Sequence, residues 1–465
     1  MWTQTDVIKA TGAVLAAGVQ AAGFTGVAID SRVAGPGDLY VSIVGDRNDG
    51  HGFVPELLGR GNKGFVIRGD RVEKLPAAMF TSAGAACFVV PDTLLALQDL
   101  AAFHRRRLDV RVLGITGTCG KTTTKEMVAA VFETTFATHK TRGNLNNHIG
   151  VPLTLLALSP SHQWAVVEMG MNHPGEIRRL AQIAAPGIGM ITNVLPGHLE
   201  GVGSLEGVAA AKKELLEEMS GGTAILNHDD ERVRAMAKGF AGQVFFFGTG
   251  PGVDIRVHSV RQSGSGMDLA VSTPSGEVRA HLDSFGPAMA SNACAAVAAG
   301  FVAGIQPDKI AAGLQTWAPI SGRLQVARLS NGAGLLDDTY NANPGSVAAA
   351  IRTVISLKNQ GRAYLVLGDM MELGDHAVAE HEAIGKLAAQ EGIDGIYACG
   401  AHAQAVARGA SQAGMPESAI FLGAKDVLVE RLAARLRSQD WVLVKGSRLM
   451  GMEEAVTGLK AAFLE

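Results

Sequence analysis

The stretch VRVLGITGTCGKTTTKEM, residues 110–127, passes from an apolar, β-branched run through Gly117-Thr118-Cys119-Gly120 into Lys121 and three threonines. An apolar strand, a glycine-rich turn and a helix opening on Lys-Thr gather backbone N–H groups and the positive end of a helix dipole around one point, which suits phosphate. Lys121 would neutralise the terminal phosphates, the Thr122 hydroxyl would bind Mg²⁺, and Gly117, Thr118, Gly120 and Thr123 would complete the cradle. The spacing is a variant: Ile115 stands five residues before Gly120, where the usual pattern has glycine, and Gly114 and Gly117 lie either side of it. The bland alternative is a glycine-rich turn that merely joins a strand to a helix, but strand, glycines, lysine and hydroxyls all stand in the order that phosphate binding needs.

On the carboxyl side, WAVVEMG (164–170), GIGMITNV (187–194) and GTAILN (222–227) read as strands, with helical GEIRRLAQIAA (175–185) and LEGVAAAKKELLEEM (205–219) between them. Alternation of this kind predicts a mainly parallel sheet covered by helices. Residues 254–287 carry turn pairs and period-two alternation, which predicts a hairpin excursion before a helix starting near Ala290. A second α/β series runs through GLLDDTYNANPG (334–345), AYLVLGDM (363–370), GIYACGA (395–401) and WVLVKGS (441–447). On the amino side, GVAIDSR, DLYVSIVG and GFVIRG predict short strands of a separate small α/β domain. At about 150 residues per domain, 465 residues predict three domains. The expected boundaries are 1–90, 91–320 and 321–465, with linkers near 85–100 and 318–325. No internal repeat or low-complexity tract interrupts the pattern.

A hydrophobic content of 47% with 18% charged residues describes a globular chain, and a net charge of −3 leaves no global basic field to collect nucleic acid or anionic lipid. The run Arg105-Arg106-Arg107 reads as the solvated end of a helix. Cys87, Cys119, Cys294 and Cys399 are scattered without metal-ligand or redox spacing, which predicts a reducing, cytoplasmic setting. The start MWTQTDVIKATGA lacks a secretory pattern, and no apolar run approaches the roughly 18 residues of a membrane span. Cys119, beside a helix N-terminus, is a thiol whose pKa such a position can lower.

Several polar residues are ambiguous by themselves. Glu168 closes an apolar strand, where ligands of parallel sheets bind, but strand ends also carry solvated carboxylates. His198 follows a strand in a loop, and Lys212 lies beside the apolar stripe Val208, Leu215 and Met219, where a lysine can equally snorkel to solvent. HKTRGNLNNHIGVP (139–152) crowds Asn144, Asn146 and Asn147 into a stretch unsuited to helix or strand, because carboxamides compete for backbone hydrogen bonds. Asn146 and Asn147 are expected to touch an anionic substrate through neutral donors and acceptors, and Asn144 to shape the turn. DSR (30–32) and DGH (49–51) supply Ser31, Arg32, Asp49 and His51, which bind ligand or simply cap turns.

GNLNNHIGVP, AVVEMGMNHPGEI, HLEGVGSLEGVAAAKKEL, LLDDTYNANPGS, LGDMMELG and VKGSR together resemble the Mur ligases over nearly the whole chain. GNLNN-x-IGVP and DDTYNANP are similar to the member that adds D-alanyl-D-alanine to UDP-N-acetylmuramoyl-tripeptide. The resemblance implies an α/β chain of three domains. These are a small N-terminal UDP-binding domain (1–90), a central P-loop ATPase domain (91–320) and a Rossmann-like C-terminal domain (321–465) that closes over ATP and binds the incoming dipeptide. It implies ATP and two Mg²⁺, with Lys121 on the β and γ phosphates, Thr122 on a first metal, and Glu168 and His198 serving a metal near the acyl carboxylate. Lys212, in an AK-x-E pattern through Glu214, is implied to carry a carbamate, with Lys213 as the adjacent alternative. Arg323 is implied to reach phosphate, Asp338 ribose and Asn292 adenine, although Ala288 and Met289 replace the His-Asn that relatives often carry before that asparagine. Ser31, Arg32, Asp49 and His51 would hold the UDP moiety in a cytoplasmic enzyme expected to be a monomer. The rival readings are another Mur-type or folylpolyglutamate-type amide ligase, a P-loop switch or kinase, and a non-catalytic nucleotide-binding scaffold.

Overall fold

The computed structural model describes residues 1–18, 23–45, 48–263, 266–358 and 360–463, and these form two compact units. Met1–Val112, His139–Met169 and Arg179–Pro186 make the first; Leu113–Thr138, Gly170–Arg178 and Gly187–Glu465 make the second. Gly264 and Ser265, inside the predicted hairpin excursion, lie outside the described residues.

The first unit is built on five strands in the order Val14–Ala17, Ala86–Val90, Gly64–Arg68, Asp38–Val41, Gly26–Ala28, the first antiparallel and the rest parallel. Side chains alternate across a strand, so each strand feeds two cores. Leu39, Val41, Val66 and Phe88 face a cluster with Trp2, Phe24, Leu97 and Leu100, whereas Tyr40, Phe65, Ile67 and Cys87 face Leu57 and Phe80. The stretch 85–100, expected as a linker, is instead the strand Ala86–Val90 and the start of the helix Thr93–Arg106. Its small and aliphatic residues serve packing: Ala96, Leu97 and Leu100 belong to the sheet's core, and Asp92 caps the helix by accepting from Leu94 N and Leu95 N.

Arg105 departs from its solvated reading. Its Nε donates to Ala184 O at 3.1 Å and its Nη1 to Leu108 O at 3.2 Å, and half-burial holds its pKa below the usual arginine range. Arg107 remains exposed, paired with Asp6 at 3.4 Å. The unit also contains the helix Gly150–Leu156, whose Leu153 and Leu156 pack against the first cluster, and the strand Trp164–Glu168.

In the second unit, seven strands follow the order Gly276–Leu282, Gly266–Thr273, Ile255–Ser263, Gln243–Gly248, Thr223–Asn227, Ile188–Ile191, Arg111–Thr116, the last of which carries the chain in from the first unit. Those from Ile255–Ser263 to Arg111–Thr116 are parallel to their neighbours, and the predicted excursion is an antiparallel extension at the other end. The alanine-rich helix Pro287–Val302 is almost wholly buried, as a helix apolar on all sides must be. An irregular stretch, 317–324, leads to a six-stranded sheet ordered Gln325–Arg328, Gly334–Asp338, Trp441–Lys445, Ala363–Leu367, Gly395–Ala398, Ile420–Leu422, parallel except for its first strand. One face packs Leu335, Tyr364, Val366, Val442 and Val444 on Leu428, Leu432, Val456 and Leu459.

Phe65 is fully buried between Tyr40 and Phe80, with ring centroids 6.3 and 5.5 Å away. Truncation leaves a cavity there, so Phe65→Ala is expected to cost about 3–5 kcal/mol, read as a lower midpoint of the first unit's urea transition.

Candidate active site

The helix Lys121–Glu133 begins at Gly120, whose φ of 81° is left-handed. A Cβ at Gly120 would lie 2.4 Å from Asn292 Oδ1, and one at Gly117 (φ 151°) would lie 1.9 Å from Thr192 Oγ1, so both turns admit only glycine. The peptide between them is gripped from the end of the strand Ile188–Ile191. Cys119 N donates to Asn193 Oδ1 at 2.8 Å, and Cys119 O accepts from Thr192 Oγ1 at 2.8 Å and Asn193 Nδ2 at 3.0 Å. Thr118 is held as firmly: its hydroxyl donates to Leu195 O at 3.1 Å and accepts from Leu195 N at 3.0 Å. Lys121 Nζ folds back to Gly117 O at 2.8 Å and Thr118 O at 3.1 Å, which aims its charge over the loop. Thr122 and Thr123 are buried in the first turn. Cys119 does not behave as a low-pKa thiol, because burial pushes it up despite Lys121 nearby.

Lys212 is 2% exposed on the helix Leu205–Glu217, and among the described residues no carboxylate pairs with it. Burial first, then the charge of Lys121, pushes its pKa well below the usual lysine range. Lys213, one residue on, is half-buried. Glu214 turns out to be a cap: its carboxylate accepts from Gly175 N at 2.7 Å and Arg178 N at 3.0 Å, closing the start of the helix Glu176–Ala184. His198 (φ 57°) and Glu372 (φ 62°) are both left-handed, with Nδ1 2.7 Å from Oε2, and the contact holds Glu372 below the usual carboxylate range.

Asp338 and Lys445 end neighbouring parallel strands in register, where ligands of such sheets bind. Their side chains pair, Lys445 Nζ also donates to Asn341 O at 2.8 Å, and Asp338 Oδ1 accepts from Leu324 N at 3.1 Å. Arg323 stacks 4.0 Å over the ring of Tyr340, and among the described residues its buried Nε has no hydrogen-bond partner. Asn292 packs on the phosphate-loop turn beside Met289, whose sulfur lies 3.9 Å from Asn292 Nδ2.

In the first unit, Glu168 is 1% exposed; its Oε1 accepts from Asn146 Nδ2 at 2.8 Å, and its N donates to Thr141 Oγ1 at 3.0 Å. Asn147, expected at substrate, points its Oδ1 at the backbone instead, accepting from Ile149 N at 3.1 Å and Gly150 N at 2.9 Å to start the helix Gly150–Leu156. Asn144 O accepts from Asn146 N at 2.7 Å, within the turn. DSR and DGH form side-chain-capped turns. Asp30 accepts from Arg32 N at 3.0 Å and pairs with its guanidinium at 2.6 Å, which holds the Asp30 pKa at about 2. Ser31 O accepts from Arg60 Nη1 at 2.6 Å. Asp49 Oδ1 lies 2.6 Å from His51 Nδ1, and buried His51 accepts from Arg68 N at 2.9 Å through Nε2, so both ring nitrogens are engaged.

The Mur ligase middle domain family matches residues 115–300, and the Mur ligase glutamate ligase domain matches 322–448. The UDP-N-acetylmuramoyl-tripeptide–D-alanyl-D-alanine ligase of Bacillus subtilis is 35% identical over 434 residues, 93% of each chain. This chain belongs to the Mur ligase family. Among solved structures, MurF from Acinetobacter baumannii superposes with a TM-score of 0.88 at 31% identity over 99% of both chains. A MurF ligase from Thermotoga maritima in complex with ADP gives 0.82 at 25% identity, covering 94% of this chain and 97% of that one.

The phosphate loop is formed in this chain, and the Thermotoga maritima MurF ligase that it resembles is in complex with ADP. Among the described residues no three His, Cys, Asp or Glu side chains converge as a metal site. The donors Thr122 and His198 fit Mg²⁺ only as a minority of its ligands, in keeping with an ion that takes phosphate oxygens and keeps several waters. Sequence reading missed Lys445, Asn193, Thr192 and Glu372. NV (193–194), straight after a strand, and the lysine of VKGSR were the available signals.

The two carboxamides separate experimentally. Asn147→Ala is expected to lose about 1 kcal/mol of stability, seen in denaturant unfolding, with kcat largely kept. Asn146→Ala is expected to lower kcat by roughly tenfold or more as Glu168 loses its orienting donor.

Proposed function

We propose that this chain joins D-alanyl-D-alanine to UDP-N-acetylmuramoyl-tripeptide with ATP, making the pentapeptide precursor of peptidoglycan. The observation that carries the reading is a formed phosphate loop in a chain matched over 93% of its length by a ligase of that reaction. The terminal carboxylate of the tripeptide attacks the γ-phosphorus, the bond to the bridging oxygen breaks, and ADP leaves an acyl phosphate. The free amine of D-Ala-D-Ala then attacks the carbonyl carbon, phosphate departs with its bonding pair, and the amine proton is lost.

Lys121 and the loop N–H groups hold the β and γ phosphates, and the Thr122 hydroxyl faces a first Mg²⁺, with Gly117, Thr118, Gly120 and Thr123 shaping the cradle. Bound Mg²⁺ lowers the repulsion between carboxylate and triphosphate. Arg323, with an unpartnered buried Nε, is assigned to phosphate. Asn292 borders the nucleotide, and Asp338 orders the ribose side through Lys445. Glu168 and His198, with the Lys212 side chain, would supply further metal donors. Ser31 and Arg32 form the exposed rim that meets UDP, on the turn that Asp30 caps, while Asp49 and His51 build the neighbouring one.

Lys212 is assigned the carbamate. Burial pushes the amine's pKa down and so favours the form that adds to CO₂; the N–C bond forms as the nitrogen loses a proton, and the resulting carbamate would be a carboxylate on a long arm able to reach Mg²⁺. The division into 1–90, 91–320 and 321–465 rests on the three sheets, although the helix Thr93–Arg106 packs in the core of the first sheet and groups with it; the irregular 317–324 is the hinge assigned to closure of the last part over ATP. The enzyme is assigned to the cytoplasm as a monomer; among the described residues no helix is long and apolar enough to cross a membrane.

Phosphate release with UDP-MurNAc-tripeptide is expected to rise strongly on adding D-Ala-D-Ala; release indifferent to the dipeptide would sink the ligase reading in favour of a switch or kinase. Lys212→Ala is expected to abolish activity and to regain part of it with a short-chain carboxylate such as acetate, while Lys213→Ala stays active. Rescue of Lys213→Ala alone would move the carbamate by one residue.

A further inference from the structure

In the first unit, the helices Gln4–Thr11 and Thr93–Arg106 and the segment 179–186 enclose a cavity of about 310 Å³. Lys9, Arg106 and Arg179 line it, with Asp99 and the ring of Phe103. None of these has a part in the reaction above. Arg179 is held in place: its Nε donates to Gln98 Oε1 and its Nη2 to Asp99 Oδ1, both at 2.8 Å. Gln98, itself buried, is anchored through its Nε2 to His148 O at 3.1 Å. Arg179 thus presents Nη1 outside both bonds, on a guanidinium that loses little freedom when it binds.

Neither Lys9 nor Arg106 has a carboxylate within ion-pair distance among the described residues, whereas the nearby Arg107 is paired with Asp6. The bland reading is that both cations sit in the last turns of their helices to meet the negative dipole ends. Those ends supply about half a negative charge each, and Asp99 one more. Three cations still outweigh them, around a concavity at the lower end of the roughly 300–1,000 Å³ range of small-molecule sites.

We propose that this cavity binds a small, multiply charged phosphate-type oxyanion, of the size of phosphate or diphosphate, through Lys9, Arg106 and Arg179. Fixed Arg179 gives direction, and the two mobile cations close on the ligand with charge-assisted hydrogen bonds.

The probe is inorganic pyrophosphate, titrated into the full chain in EDTA by calorimetry, with chloride as the monovalent control. A Lys121→Ala background removes the lysine of the phosphate loop. In that background pyrophosphate is expected to bind one site. Lys9→Glu with Arg106→Glu is expected to weaken it at least tenfold, and raising salt should weaken it further. Glu at two helix C-termini opposes the dipoles, so the double variant is expected to unfold at a slightly lower midpoint and its affinity is read well below it; the neutral Arg106→Gln alone, at an exposed position, gives an intermediate affinity. Loss of all binding with Lys121→Ala, affinity unchanged by the charge reversals, or equal competition by chloride would each overturn the proposal.

Discussion

The peptide group of Cys119 is clamped on both sides, its N–H by Asn193 Oδ1 and its carbonyl by Thr192 and the Asn193 amide. The catalytic arrangement depends on that clamp. With Gly117 and Gly120 close against Thr192 and Asn292, these contacts hold the loop's backbone in place, so that less ordering of anion-binding N–H groups is left to ligand binding. The clamp also explains why a departure from the usual glycine spacing is tolerated. Ile115 belongs to the strand core, and the glycines sit where backbone meets side chain at close range.

Around this loop, buried positive charge is handled in three ways. Lys445 is neutralised by Asp338 and by backbone carbonyls at the carboxyl ends of two strands. Arg323 spreads its charge over the face of Tyr340, a stacking that suits a delocalised guanidinium and leaves hydrogens for an anion. Lys212 is paired with no carboxylate among the described residues, and the low dielectric favours its neutral form. The contrast is chemical as well as electrostatic: a paired lysine is inert, while a neutral buried amine is a nucleophile.

Much of this was legible in the chain. The phosphate loop, the parallel series of strands, the antiparallel extension near 254–287 and the second α/β sheet follow from periodicity and turn chemistry, which are local. Residues with two possible partners were less legible. Asn147 and Asn146 are adjacent and chemically identical, yet one starts a helix and the other meets Glu168, because Asn147 stands at the foot of the helix Gly150–Leu156 and Asn146 in the turn before it. Asp49 and His51 read equally as ligands or as caps until Arg68 N arrives from a strand to occupy the second ring nitrogen. Arg105 looked solvated beside two other arginines, but Ala184, far along the chain, supplies the carbonyl that draws it in.

By itself, then, the sequence determined the order of elements, the presence of an anion-binding helix start and the family to which the chain belongs. Each depends on residue types at fixed spacing along a strand, turn or helix, where the physics is short-range. The tertiary structure decided which lysine is buried, which carboxamide is a cap, and which carboxylates bind backbone N–H groups, as Glu214 does. Those outcomes turn on burial and on partners brought together from distant parts of the chain. Lys212 and Lys213 differ in nothing but the side of the helix on which they fall, and only the packing of that helix tells them apart.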